Sequence, residues 1–161
     1  EQLKDKNIIS NIKTILLKTG IDTKHLQLEI TESMLMENID NLNYYDLLIS
    51  LRELGIGISL DDFGKGYSSL SSLKDLPISE IKIDKNFVDN LSSSEIDRSI
   101  IREIIILSKI LGLSTVAEGI ETQDQYDFLE SINCNYAQGY LCGKPMPKNE
   151  AFKLLKLLEN K

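Results

Sequence analysis

The sequence has few of the residues that build histidine–cysteine metal sites and disulfides. Its 161 residues include one histidine, His25, two cysteines, Cys134 and Cys142, and no tryptophan. The cysteines show no metal-ligand spacing, and one histidine cannot build a histidine metal site. We interpret Cys142, next to Gly143, as a packing residue rather than a reactive thiol. This cysteine usage fits a reduced, cytoplasmic setting.

Long apolar runs and excess positive charge are also absent. The longest apolar run, residues 104–107, has four residues, whereas a membrane-spanning helix needs roughly 18 or more. Lys and Arg number 18 against 25 Asp and Glu, which gives a formal net charge of −7. This balance argues against a DNA- or RNA-binding surface. The negative net charge is compatible with an anionic substrate if bound cations reverse the local electrostatic field.

The sequence does contain a regular alternation of helices and strands. Short apolar segments predict five strands, over residues 26–30, 56–60, 81–83, 115–117 and 136–137. Apolar periodicity, with glycines as helix stops, predicts helices over 2–19, 40–54, 123–131 and 150–158, with Asn149 as a cap of the last, and a long helix from a cap within 92–94 to 111. Strands that alternate with helices indicate a parallel sheet.

The number of strands is lower than a closed barrel requires. A (βα)-barrel has eight strands and about 250 residues, and this chain begins with a predicted helix that no strand precedes. We therefore predict a single α/β domain over residues 1–161. It would be a partial (βα)-barrel of the TIM type, with about five parallel strands and the amino-terminal strands missing.

Polar residues stand at or just beyond the carboxyl ends of the predicted strands. They are Glu29, Asp61, Asp62, Lys82, Asp84, Glu118 and Gln138. Residues two apart in a strand share a face, so we expect these side chains to converge on a common interior while the apolar set meets the covering helices. In βα-barrel enzymes the catalytic groups lie at this end of the strands.

The adjacent pair Asp61 and Asp62 indicates a metal site. Two neighbouring carboxylates repel each other and are stable in the ionised form mainly when cations bridge them. One can touch two ions while the other binds one, as two-metal phosphoryl enzymes require. In isolation such a pair is usually a solvated turn, but the predicted proximity of Glu29 and Glu118 favours a site.

Other residues at these strand ends could support chemistry. Lys82 lies in an otherwise apolar strand, where its ammonium needs a carboxylate, a water or a phosphate as partner; an ion pair with Asp84 is the structural alternative. Glu118 could act as a base toward water, and Glu121 could be purely structural because it begins a helix. Gln138 adds an amide, which is a weak signal by itself.

Five segments, in this order, resemble the EAL-type cyclic-di-GMP phosphodiesterases. They are Glu-Ile-Thr-Glu-Ser at 29–33, Leu-Asp-Asp-Phe-Gly-Lys-Gly-Tyr-Ser-Ser-Leu at 60–70, Ile-Lys-Ile-Asp at 81–84, Ala-Glu-Gly-Ile-Glu-Thr at 117–122 and Gln-Gly-Tyr at 138–140. The combination is specific although no single segment is. The resemblance implies a modified βα-barrel that linearises cyclic-di-GMP to pGpG with two Mg²⁺ or Mn²⁺ ions.

The resemblance also implies a role for each matching residue. Glu29 would bind the first metal, Asp61 would bridge both metals, and Asp62 would bind the second. Lys82 would orient the attacking water. Glu118 would lie at the second metal and act as the base.

A second set of residues would support that site. Glu32 and Glu121 resemble the glutamates that steady the loop over 61–72 and the metal shell, and Gln138 would support the water or the substrate. We place Asp84 in the same supporting set. In this family the loop often helps to form a dimer, so we expect a homodimer or other self-association.

The sequence departs from the family pattern in two respects. The Glu-Ala-Leu segment and the asparagine strand, both of which supply ligands to the first metal, are absent, and residues 1–3 resemble the start of the helix that follows that strand. Lys65 stands where a small residue is usual. We therefore interpret the chain as the carboxyl-terminal two-thirds of an EAL domain, from a parent protein that could be membrane-anchored, and expect it to be weak or inactive alone. The alternative is a degenerate domain that binds the nucleotide or a partner without catalysis.

Overall fold

The computed structural model describes residues 5, 7–37, 42–64 and 73–159. The helices are α1 (Ile8–Thr19), α2 (Glu32–Glu37), α3 (Leu42–Glu53), α4 (Lys85–Asp89), α5 (Glu95–Leu111), α6 (Gln123–Ser131) and α7 (Lys148–Glu159), with a short 3₁₀ helix at Thr23–His25. The strands are β1 (Gln27–Thr31), β2 (Gly57–Phe63), β3 (Glu80–Ile83), β4 (Ser114–Ala117) and β5 (Tyr136–Ala137).

The five strands form one sheet in chain order, β1 to β5, and each adjacent pair is parallel. A parallel neighbour requires a crossover, which the helices between the strands supply. The α/β class and the five parallel strands are therefore confirmed. Within the described residues, no helix is both long and apolar enough to cross a bilayer.

The apolar face of the sheet forms the core with the helices. Ile58, Leu60, Ile81 and Ile83 on the central strands are fully buried, and Ile101 of α5 is buried in the same cluster. Burial of each such side chain contributes about 1.5–3 kcal/mol. The opposite face of these strands is thereby fixed as the interior, polar face.

Local capping signals set the ends of two helices that cover the apolar face of the sheet. The Ser94 hydroxyl accepts a hydrogen bond from Asp97 N and begins α5, and Gly112, at φ 71°, ends it in the left-handed conformation. Thr122 and Gln125 form a capping box at the start of α6, in which each side chain satisfies a backbone N–H of the first turn. These caps hold the loops that follow β3 and β4.

Several boundaries differ from the sequence expectations. The last helix begins at Lys148, so Asn149 is inside it rather than capping it. Strand β2 continues through both aspartates, where we expected a loop. Helices α2 and α4 were not predicted, because five or six residues are too few to show helical periodicity. Cys142 is exposed, so the expectation that it is a packing residue is wrong. The expectations for residues 1–3 and for 65–72, including Lys65, lie outside the described residues.

Candidate active site

The carboxyl ends of four strands meet around one ammonium group. Lys82 Nζ lies 2.6 Å from Glu118 Oε1, 2.8 Å from Glu29 Oε1 and 3.2 Å from Asp61 Oδ1. The Lys82 side chain is 6% exposed, whereas those of Glu118, Asp61 and Glu29 are 21%, 23% and 57% exposed. The expected convergence is therefore present, with Lys82 at its buried centre and the carboxylates toward solvent.

Strand register explains how these residues meet. Glu29 pairs with Ser59, Thr31 pairs with Asp61, and Lys82 pairs with Val116 on β4. Alternation then puts Glu29, Asp61 and Lys82 on the face opposite the buried isoleucines. Glu118 follows directly after β4 and reaches the same place, and its backbone N–H donates to Ile83 O at 3.2 Å.

A bulge in β2 accommodates the two adjacent aspartates. Leu60 pairs with Ile81 and Phe63 pairs with Ile83, so two residues of β2 stand opposite Lys82 alone. Asp62 takes a φ of 58°, a left-handed conformation that aspartate tolerates better than most residues. The extra residue restores Phe63 to the core side of the sheet, where it is buried. Simple alternation would have assigned Phe63 to the interior face.

The electrostatics of the site keep Lys82 protonated. Burial by itself would lower the pKa of the Lys82 ammonium, but the hydrogen bonds to Glu118, Glu29 and Asp61 outweigh that effect and raise the pKa above its usual value. Lys82 is therefore a fixed positive charge and a hydrogen-bond donor at neutral pH, and it cannot serve as a base.

The donor set of the site suits a hard divalent cation. Three carboxylates against one ammonium leave a formal charge of −2. Asp61 Oδ1 is buried and, apart from its ion contact with Lys82, has no hydrogen-bond partner among the described residues. Carboxylate oxygens are the ligands that Mg²⁺ and Mn²⁺ prefer. In the described part of the chain, however, no three acidic or other ligating residues are already arranged as a metal site.

Glu32 and Asp84, which we predicted to support the site, hold its flanking segments. Glu32 is buried and its Oε2 accepts a hydrogen bond of 3.1 Å from Gly64 N, which joins α2 to the end of β2. Gly64 has a φ of 103°, and a side chain there would collide with Phe87. Asp84 Oδ1 accepts from Asn86 N at 2.9 Å and so caps α4.

Glu121 and Gln138 lie in two loops that are joined by backbone hydrogen bonds. Glu121 Oε1 lies 2.7 Å from Lys85 Nζ. Gln138 N donates to Ala117 O at 2.9 Å, and Gln138 O accepts from Ile120 N at 3.1 Å. The loop after β5 is thus attached to the loop that carries Glu118.

An open cavity of about 480 Å³ occupies the interior face below these strand ends. Its lining is Gln27, Glu29, Ser79, Glu80, Lys82, Ser114, Val116, Tyr136 and Gln138. The cavity brings Gln138 to the same interior as Glu29 and Lys82. It also contains Glu80, a buried carboxylate that the sequence reasoning missed, although alternation from Lys82 puts it on the same face.

The structure therefore sorts the predicted site residues into two groups. Glu29, Asp61, Lys82 and Glu118 are in direct contact, Asp62 is next to them in the bulge, and Gln138 lines the adjoining cavity. Glu32, Asp84 and Glu121 contact the segments that carry this group. Their individual roles remain predictions.

Comparison with known proteins identifies the family. The chain is 42% identical over 149 residues to the bifunctional diguanylate cyclase/cyclic di-GMP phosphodiesterase MucR of Pseudomonas aeruginosa, covering 92% of this chain and 22% of that protein. The solved structure described as "PaMucR Phosphodiesterase, c-di-GMP complex" superposes with a TM-score of 0.87 at 41% identity, covering 93% of this chain and 60% of that one.

A second solved structure contains a metal ion. The manganese/cy-diGMP complex of Klebsiella pneumoniae BlrP1 superposes with a TM-score of 0.78 at 28% identity, covering 87% of this chain and 35% of that one. The family model for the EAL domain matches residues 1–145. With that match over most of its length, the chain belongs to the EAL domain family.

Proposed function

We propose that this chain carries the central part of a metal-dependent phosphodiesterase site that hydrolyses cyclic-di-GMP to pGpG. The observation that carries the proposal is the contact of Glu29, Asp61 and Glu118 with Lys82 at four strand ends. The names of the similar proteins support the substrate. The chain spans 22% of the MucR sequence, so the activity of the whole protein is part of the proposal.

Carboxylates of this chain would hold the cations. Glu29 would bind one Mg²⁺ or Mn²⁺ ion, Asp62 and Glu118 would bind the other, and Asp61 would bridge them. The ions would supply Lewis-acid stabilisation of the phosphate. Two divalent cations would also reverse the local formal charge of −2, which otherwise repels an anionic substrate.

Lys82 and Glu118 would act on the attacking water. Lys82 is protonated and buried, so it can donate a hydrogen bond that orients the water. Glu118 lies 2.6 Å from Lys82 and is partly exposed at the mouth of the interior, where it can accept the proton of that water. Gln138 would contact the water or substrate, while Glu32, Asp84 and Glu121 would hold the surrounding segments as described above.

We also propose that the protein self-associates, most simply as a homodimer, in the cytoplasm. A groove of about 710 Å³ runs along α5 beside Phe63, and Ile96, Ile106 and Ile110 in its lining are exposed. Strands β1 and β5 are the borders of the sheet, and exposed edges invite pairing. Large apolar patches mark association surfaces. Light scattering tests this proposal, and a monomer at all concentrations would contradict it.

Two measurements test the proposed function: metal binding by this chain, and pGpG production by the parent protein with its complete EAL domain. Calorimetry with Mn²⁺ compares the wild type with Asp62→Ala, and we expect the variant to release less heat and bind more weakly. Mass spectrometry then follows pGpG formation from cyclic-di-GMP. We expect Glu118→Gln to lower the rate by about 10²–10⁴-fold, because it removes the base. Glu130→Gln, at an exposed position of α6, is the matched control and should leave the rate unchanged.

The outcomes separate the two function classes. Equal Mn²⁺ binding by wild type and Asp62→Ala would contradict the metal assignment. A Glu118→Gln rate within threefold of wild type would show that another group is the base. Binding of cyclic-di-GMP by the parent protein without any product would favour the non-catalytic binding module over the enzyme.

A further inference from the structure

A second polar layer lies below the site. Glu80 is 9% exposed and precedes Lys82 by two residues on β3. Its Oε1 accepts hydrogen bonds from Gln27 Nε2 at 2.5 Å and from Ser59 Oγ at 2.9 Å. Its Oε2 lies 3.3 Å from Ser114 Oγ, and that hydroxyl shares its proton with Ser79 O at 3.2 Å. One carboxylate thus joins β3 to β1, β2 and β4. We refer to Gln27, Ser59, Glu80 and Ser114 as the Glu80 layer.

The residues of the Glu80 layer lie on the same face of the sheet as the site residues at the strand ends. Gln27 precedes Glu29 by two residues, Ser59 precedes Asp61 by two, Glu80 precedes Lys82 by two, and Ser114 precedes Glu118 by four. A step of two residues advances about 6.6 Å along a strand and returns to the same face. Gln27, Ser59 and Glu80 therefore each lie one step below a residue of the site, and Ser114 lies two steps below Glu118, with Val116 between them.

A buried carboxylate at this position is unnecessary for packing alone. An apolar side chain of similar volume would avoid the desolvation cost of the carboxylate. Polar networks inside a protein fix geometry because each member has few alternative partners. Glu80 has three hydrogen-bond partners, on strands that are far apart in the sequence, so a change in the curvature of the sheet from β1 to β4 would strain at least one of these hydrogen bonds.

We propose that Glu80 is a positioning residue for the site above it. The backbone ladder sets the spacing of adjacent strands, while the three hydrogen bonds of Glu80 fix the curvature of the sheet from β1 to β4, and so hold Glu29, Asp61 and Glu118 within reach of Lys82. This inference rests on the proposed function for its catalytic meaning. The positioning itself can be measured without metal or substrate.

The test compares two substitutions of Glu80 with a packing control. Glu80→Met keeps the length of the side chain and removes all three acceptor contacts. Glu80→Gln keeps an oxygen for Gln27 and Ser59 and can donate to the Ser114 hydroxyl. Ile83→Val, on the core face of the same strand, lowers stability without touching the polar layer.

The first readout is the acetylation rate of the Lys82 amine by acetic anhydride, normalised to the exposed Lys24 in the same sample. We expect Glu80→Met to increase this rate at least fivefold, because the carboxylates no longer enclose the amine. Glu80→Gln should remain within twofold of wild type, as should Ile83→Val. The second readout is the Mn²⁺ affinity by calorimetry, which should fall at least fivefold in Glu80→Met alone.

Each possible result either supports or contradicts the proposed positioning role of Glu80. Wild-type acetylation of Lys82 in Glu80→Met would overturn it, and so would an equal increase in Ile83→Val, which would indicate general loosening. If Glu80→Met does not fold, the double variant Ser59→Ala/Ser114→Ala removes two of the three donors and should increase the rate at least twofold. If the wild type does not bind Mn²⁺, the proposed function fails, while acetylation of Lys82 still decides the role of Glu80.

Discussion

Replacement of Lys82 by methionine should destabilise the metal-free protein and make it more dependent on metal. The change removes the ammonium that lies 2.6–3.2 Å from three carboxylates, and it leaves these like charges together. Removal of one partner from a buried ion pair costs about 3–5 kcal/mol. Because Glu29 is more than half exposed and the other two carboxylates are partly exposed, we expect a smaller loss, of about 2–3 kcal/mol.

Divalent cations should reverse this loss. The formal charge of the group changes from −2 to −3 when Lys82 is replaced, so the variant should bind Mn²⁺ more tightly than wild type while it loses the donor that orients water. A ligand at 100 times its Kd adds about 2.7 kcal/mol to the free energy of unfolding. Saturating Mn²⁺ should therefore restore most of the stability of Lys82→Met, without restoring activity.

Urea unfolding with and without Mn²⁺ measures both effects. Lys24→Met is the matched control, because Lys24 also contacts an aspartate, at 2.8 Å, but at an exposed position, where such a pair contributes about 0–1 kcal/mol. The reasoning is refuted if metal-free Lys82→Met is no less stable than Lys24→Met. It is also refuted if Mn²⁺ stabilises Lys82→Met less than it stabilises the wild type.

Three further predictions concern the rest of the fold. Tyr44→Phe should raise the free energy of unfolding by about 0.5–1 kcal/mol in a urea titration, because the buried Tyr44 hydroxyl has no hydrogen-bond partner among the described residues; a loss of stability would contradict this. Gly139→Ala should lower the free energy of unfolding by about 1–3 kcal/mol, because a Cβ there would collide with the backbone of Ile120; a wild-type melting curve would be incompatible with that contact. Burial raises the pKa of the Cys134 thiol, and the thiolate is the reactive form, so iodoacetamide at pH 8 should modify the exposed Cys142 first and Cys134 only as the pH increases; equal rates in peptide mapping would refute this.

The sequence predicts the interior residues of the regular strands well. Glu29 and Lys82 lie in short β segments with a clear period of two, so their shared face follows from alternation. Glu118 follows a strand end and needs only the parallel topology to reach the same place. For these residues, local pattern and global fold agree, and the contact with Lys82 could be anticipated before its geometry was known.

The other features of the site depend on contacts between residues that are distant in the sequence, so no local sequence pattern predicts them. The β2 bulge at Asp61 and Asp62 is a property of pairing with β3, and alternation alone separates the two aspartates. The hydrogen-bond partners of Glu80 lie on other strands, 21 to 53 residues away in the chain, so no local pattern reveals that this carboxylate is buried. Helix α2 is too short for periodicity, and Glu32 at its start accepts a hydrogen bond from Gly64 N, just beyond the end of β2.

The bulge in β2 has a consequence for transplanting this site into other proteins. Because two residues of β2 occupy the space opposite one residue of β3, substitution of aspartates into a regular barrel strand would put only one of them on the interior face. The other would enter the apolar layer between sheet and helices. A designer who wants adjacent carboxylates must therefore insert a residue, and choose one that accepts the φ of 58° found at Asp62, rather than only exchange side chains.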